Sequence, residues 1–266
     1  MSNLVQVKEI FGRESVMKNL KAMLGGKAQG FATSVLSVVN NNKLLQTADA
    51  NSIYTSAMVA ASLDLPINPN LGFAAIVPYG RSAQFQIMTR GIIQLAIRSG
   101  QYARITNAIV YEGQLVKQDP FTDEYAFDFQ AKKSDKVVGY VAYFRTVGGF
   151  EKYFYMTKEE AEAHGKKYSK SYSSGVWKSD FDSMALKTVL KLLLSKFGIL
   201  SVEMQRAITM DQAEVKGEIN TVEDIDAAEV AYVDNPSSED ARRNAMKEAM
   251  QEAIVVDKET GELFNE

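Results

Sequence analysis

Apolar residues recur at every third or fourth position along the first sixty residues of the chain. Val16, Leu20 and Leu24 are spaced by four, and beyond Gly25-Gly26 the period returns with Val35, Leu36 and Val39. This spacing draws one apolar stripe along a helix. Helices are therefore expected over 13–24, 31–40 and 51–63, with the asparagines at 40–42 as a stop. The segment LDLPINPNLG (63–72) is rich in proline, asparagine and glycine and reads as a loop.

After this loop the period changes to two. FAAIVPY (73–79) and AQFQIM (83–88) flank Gly80-Arg81-Ser82 as a hairpin, and Pro78 suits an edge strand. Thr89 is placed to cap a helix over 90–99 that Gly100 ends. Strands are expected at 102–111, 124–130, 137–146 and 150–156, the last two joined through Val147-Gly148-Gly149. Thr157 and Glu160 match a capping box that opens a short helix to about residue 163. The most apolar helix, 182–197, offers Met184, Leu186, Val189, Leu190, Leu193, Leu194 and Phe197 to a core. The fold class is α+β, with a helical N-terminal part and central antiparallel hairpins packed by helices.

Composition alters the picture near the end of the chain. Its 266 residues, 46% hydrophobic, can bury a sizeable core. The net charge of −3 is unevenly placed. Residues 1–205 hold 24 Lys and Arg against 17 Asp and Glu, whereas residues 206–266 hold 6 against 16. We therefore expect a basic body over 1–205, an acidic, flexible linker over 206–240 and a small C-terminal interaction module over 241–266, where SSEDARRNAMKEAMQEA can form an amphipathic helix. A basic body suggests a polyanionic partner. The absence of any signal-like or membrane-length apolar run gives the expectation of a soluble intracellular protein without a membrane partner.

Most bond-making chemistry finds no motif. There is no Cys, hence no disulfide, thiolate metal site or cysteine nucleophile. Lys27 follows two glycines, but a phosphate loop would need Gly at 21 and Ser or Thr at 28, where Lys21 and Ala28 stand. No G-x-G-x-x-G follows a strand, so ATP is not expected. His164, the only histidine, reads as a polar residue near a helix end. Asp180 and Asp182 could serve a metal-dependent nuclease, yet at i and i+2 around a helix start they diverge, and capping explains them.

What remains is positive charge beside aromatic rings. Arg90, Gln94 and Arg98 form one stripe of their helix, and Lys187 and Lys191 repeat the spacing, where like charges repel. Arg104, Lys152, Lys166, Lys167, Lys170 and Lys178 are interleaved with Tyr102, Tyr153, Tyr168, Tyr172 and Trp177. Cations that track a backbone beside stacking platforms suit single-stranded nucleic acid. Trp177 either stacks on a base or closes the core.

The ordered blocks NNKLLQTADANSIYTSAMVAASLDLPINPNLGFAAIVPYG, AQFQIMTRGIIQLAIRSGQY, VAYFRTVGGFEKYFYMTKEEAEAHGKKYSKSY and WKSDFDSMALKTVLKLLLSKFG resemble the RecT family of phage single-strand DNA-annealing proteins, over about residues 40–205. Leu63-Asp64-Leu65 stands where that family more often has Leu-Gly-Leu. The resemblance implies a Rad52-like annealing core with an acidic C-terminal appendage. It also implies ATP-independent annealing in homologous recombination and assembly into rings or helical filaments. Implied partners are single-stranded DNA, the annealed duplex, a 5′ to 3′ exonuclease and the host single-strand binding protein, in the cytoplasm of a bacterial host. No cofactor is required, though Mg²⁺ can arrive with DNA. The expected DNA-binding residues are Arg90, Gln94, Arg98, Arg104, Lys152, Lys166, Lys167, Tyr172, Trp177, Lys178, Lys187 and Lys191. A nuclease using Asp180 and Asp182, or a protein that only coats single strands, are the alternatives.

Overall fold

A computed structural model describes residues 3–119, 121–122, 124–169, 172–217 and 219–232. Four helices open the chain: α1 (Asn3–Gly12), α2 (Glu14–Leu24), α3 (Ala28–Asn40) and α4 (Ala50–Ser62). The expected stripe is buried, with Val16 and Leu20 on α2 and Val35 and Val39 on α3 turned into the core. Asp49 accepts from the Ser52 backbone N–H at 2.8 Å and so caps α4. Ile53, Ala57, Met58, Ala60 and Ala61 are buried along α4, which makes it the central helix of this layer.

β1 (Ala74–Tyr79) and β2 (Ser82–Ile87) form the anticipated antiparallel hairpin, with Pro78 opposite Ala83 and the turn at Gly80, φ 58°. Helix α5 (Thr89–Arg98) follows, entered through extended Met88; Thr89 lies inside the helix and is not its cap. Gly91 is required at the α5 start, because a Cβ there would stand 2.1 Å from the Phe73 carbonyl oxygen.

The main sheet has the order β3 (Tyr102–Tyr111), β6 (Val137–Thr146), β7 (Glu151–Thr157), all antiparallel. Between its first two strands in sequence lies a second hairpin, β4 (Leu115–Asp119) and β5 (Glu124–Phe127). The inner face carries Tyr140, Ala142 and Phe144 and packs on the helices. On the outer face, Val110, Val141 and Tyr155 form a small separate core beneath the β4–β5 hairpin.

After the sheet come α6 (Lys158–Tyr168), the short α7 (Val176–Ser179) and α8 (Phe181–Phe197). The capping box is present, with Thr157 Oγ1 accepting from Glu160 N and Glu160 Oε2 accepting from Thr157 N. Helix α6 continues past residue 163 because Gly165 lets Tyr172 and Trp177 close over it; a Cβ there would lie 2.8 Å from the Tyr172 ring. Helix α8 buries Ala185, Val189, Leu190, Leu193 and Leu194, whereas Phe197 at its end remains 37% exposed.

The linker expected from residue 206 is corrected over 206–232. These residues complete α9 (Val202–Met210) and form β8 (Ala213–Lys216), α10 (Val222–Ala227) and β9 (Glu229–Tyr232). Ala207, Met210, Ile219 and Ile225 join the main core. Arg206 donates to both oxygens of Asp226, Nε to Oδ1 at 2.6 Å and Nη2 to Oδ2 at 2.7 Å, fastening α9 to α10. The physical reason is that a few well-placed apolar side chains suffice to anchor an acidic surface. The rest of the expected linker, the module at 241–266 and Lys170 lie outside the described residues.

Candidate nucleic-acid interface

The candidate residues fall in three places. The first is a cavity of about 460 Å³ between α6, α8 and the turn after α9, lined by His164, Tyr168, Lys187, Lys191, Lys196 and Asp211 among others. At its floor Asp211, 1% exposed, accepts from Lys187 Nζ at 3.2 Å, Lys191 Nζ at 2.7 Å and the Ile87 backbone N–H at 3.1 Å. Burial alone would raise the Asp211 carboxyl, but the two ammonium groups outweigh it and hold the group below the usual carboxylate range. Burial pulls Lys187 down from the ordinary lysine value. One carboxylate against two ammonium groups leaves a positive surplus at the cavity floor.

Lys187 is thereby corrected as a direct phosphate ligand. Its side chain is 6% exposed and turned to Asp211, while that of Lys191, at 19%, reaches the cavity. Helical spacing could place the two lysines on one face, but could not reveal a carboxylate from a segment read as linker. His164 sits in the cavity wall rather than near the helix end. Burial first, then the charges of Lys191 and Lys167, push its pKa down to about 4, so the ring is neutral at pH 7. Lys196, which the sequence reading did not select, lines the same cavity with its ammonium 5.0 Å from the Phe154 ring centroid.

Beside this cavity a shallower cleft contains Tyr172, Trp177, Lys178, Asp180 and Asp182. Lys178 is exposed there. Trp177 is 7% exposed, packed against Phe181 at 5.3 Å and Tyr172 at 5.9 Å between ring centroids. It closes the core, which corrects its expected place as a stacking platform. Tyr172 is half-buried over the same ring. Lys166 and Lys167 occupy the last turn of α6, and Lys166 pairs with Glu162 at 3.6 Å. Asp180 caps α8 through Ser183 N at 3.3 Å, and Asp182 accepts from the Tyr140 hydroxyl at 2.5 Å. Desolvation and that bond raise the Tyr140 hydroxyl pKa far above its usual value. Both carboxylates thus have structural roles.

The second place is α5. Arg98 donates Nη2 to Leu63 O at 2.7 Å and Nη1 to Asp64 O at 3.3 Å, closing the C-terminal end of α4, where a cation is favoured. Arg90 donates to Leu71 O at 3.3 Å, and Gln94 is half-buried between them in sequence. The stripe exists, but its arginines bind the 63–72 loop. The third place is the main sheet: Arg104 is exposed on its outer face, while Lys152 lies half-buried on the inner side, 4.8 Å from the Phe197 ring centroid. The twelve residues therefore do not converge on one groove within a single copy of the chain.

Similarity to known proteins runs through all three places. A family model described as RecT family matches residues 29–226. The "Uncharacterized protein YqaK" of Bacillus subtilis (strain 168) is 48% identical over 234 residues, covering 88% of this chain and 81% of the relative. The "Protein RecT" of Escherichia coli (strain K12) is 30% identical over 179 residues, covering 64% of this chain and 66% of the relative.

Proposed function

The chain belongs to the RecT family, and from that premise we propose that it binds single-stranded DNA and anneals complementary strands in homologous recombination, without ATP and without making or breaking a bond. The observation that carries this reading is the cavity at α6 and α8, where Lys187, Lys191 and Lys196 face one carboxylate and a neutral imidazole. Lys191 and Lys196 are the cations placed to meet phosphate; Lys187 acts through Asp211 by holding the cavity floor. Lys167, Lys178, Arg104, Arg90 and Arg98 are further candidates for the backbone path, each exposed on its own element, with the half-buried Gln94 between the two α5 arginines in sequence.

Gripping phosphates supplies affinity without dictating sequence and leaves base edges free to test a second strand. Assembly of copies into a ring or helical filament would join the three basic places into a continuous path and raise the effective concentration of one strand near another. Antiparallel strands backed by α8 are the arrangement on which a Rad52-like core would rest. The acidic C-terminal residues are the part assigned to an exonuclease or the host single-strand binding protein.

Mixing complementary oligonucleotides with the folded protein tests the reading. Pairing is expected to accelerate without ATP, and affinity to fall steeply as salt rises. Lys191→Ala is expected to weaken binding to all sequences and flatten the salt slope by about one. No acceleration at low salt overturns annealing, and slower pairing identifies a protein that only coats strands. Loss of intact strand in Mg²⁺ would favour the nuclease reading, against which the structural bonds of Asp180 and Asp182 stand.

A further inference from the structure

The outer face of the main sheet carries rows that the inner core does not use. Reading across β3, β6 and β7, one row is Arg104, Arg145, Glu151 and the next is Thr106, Tyr143, Tyr153. The β4–β5 hairpin covers the neighbouring row around Val141 and Tyr155, and leaves the Arg104 row exposed and Tyr143 half-buried, with Tyr153 at its margin. Tyr143 and Tyr153 have ring centroids 4.6 Å apart. Tyr153 lies 6.0 Å from Phe127, and Phe127 stacks at 6.0 Å and 26° on Phe129, which is 46% exposed. Four rings thus run from the open sheet onto the segment after β5.

Beside the rings stand two guanidinium groups in direct cross-strand register, Arg104 opposite Arg145. Like charges so placed destabilise a sheet. Among the described residues neither arginine forms an ion pair or hydrogen bond, and the nearest acid in the row, Glu151, is engaged by the Tyr143 hydroxyl at 2.6 Å. An anion supplied from outside would offset that repulsion. Flat rings next to unpaired cations accept bases by stacking and the linking phosphates by charge.

We propose that this face is a base-stacking surface for single-stranded DNA, with Tyr143, Tyr153, Phe127 and Phe129 under the bases and Arg104 and Arg145 on the phosphates. The proposal rests on the single-strand reading above and adds a surface on the side of the sheet away from α8 and its cavity.

The test compares the full-length protein's affinity for an oligonucleotide with its affinity for an abasic strand of equal length and charge. Wild type is expected to prefer the base-bearing strand by roughly 5- to 150-fold for each stacked base. Tyr143→Ser with Tyr153→Ser is expected to lose most of that preference while binding the abasic strand as before; Tyr143→Phe with Tyr153→Phe keeps it. Should the serine pair fail to fold, Phe129→Ala, at an exposed ring, is expected to show a smaller loss of the same kind. Preference that survives in the folded variants, or is absent from wild type, overturns the proposal and leaves annealing standing. A changed sedimentation coefficient with preference intact makes the face a contact between copies of this chain and also overturns it. Failure of wild type to bind either strand overturns the single-strand reading itself.

Discussion

Replacing Asp211 by Asn removes the one negative charge between two ammonium groups, one of them enclosed. The amide oxygen can still accept from Ile87 N and Lys187 Nζ, which share Oδ1, but the amide nitrogen turns its donors toward Lys191 and the compensating charge is gone. Removing one partner of a buried pair costs about 3–5 kcal/mol. An upper bound comes from the lysine itself. If the fold cannot hold the Lys187 ammonium it can release the proton, and neutralising a lysine of ordinary pKa 10.5 at pH 7 costs about 5 kcal/mol. The expected loss is thus about a fifth or more of the roughly 5–15 kcal/mol that holds a domain together. Urea unfolding at pH 7 and pH 9 measures it. In the variant a neutral folded Lys187 would face a protonated unfolded one, so stability should recover by about 1.4 kcal/mol per pH unit as pH rises toward 10. Adding Lys187→Met should restore most of the loss at pH 7. A single variant that loses less than about 1 kcal/mol, or a double variant no more stable than it, would refute the inference that Asp211 holds a buried charge.

His164 titrates in the opposite part of the scale. Its folded pKa near 4 lies below the unfolded value of 6.5, so the unfolded chain takes the proton first; stability is full above pH 6.5 and falls toward pH 4 by about 3 kcal/mol. Denaturation midpoints of wild type and His164→Gln should diverge over that window, and parallel curves would contradict it. Arg98→Ala should cost about 1.5–3 kcal/mol through the lost bonds to Leu63 and Asp64, and Arg98→Lys should recover only part, lacking the fork; thermal melts decide. Gly91→Ala should destabilise by about 1–3 kcal/mol despite the better helix propensity of alanine, because its Cβ would stand 2.1 Å from the Phe73 carbonyl oxygen, a backbone atom that accepts from Met88 N, which equilibrium unfolding reads directly.

The elements with a clean period were legible. β3 and β6 match the expected strands because each is a ten-residue run rich in β-branched and aromatic residues and bounded by turn formers. Strand β4, LVKQD, escaped because it has only two apolar residues and lies mostly exposed. Helix α1 escaped because NLVQVKEIFG sits short and without an acidic first turn. Helix α6 outruns its expected end near residue 163, and Gly165 within it is a place of close approach. The site was legible as content and not as geometry. Lysines and rings could be picked out, but which cations were already engaged depended on carbonyls at 63 and 64 and a carboxylate at 211, partners that no local spacing discloses.

Asp211 lies 124 residues beyond the Ile87 amide it accepts from. During synthesis, therefore, strand β2 and helix α8 leave the ribosome before the group that joins them exists. An emerging chain can form its local helices and hairpins early, yet the Lys187 ammonium has no counter-charge until residue 211 follows, and this long-range closure is a slow step by its loop entropy. The basic body thus becomes a finished structure only when the start of its acidic end is delivered, and a chain released at residue 205 would carry an unfilled core and two repelling lysines as exposed surface open to aggregation.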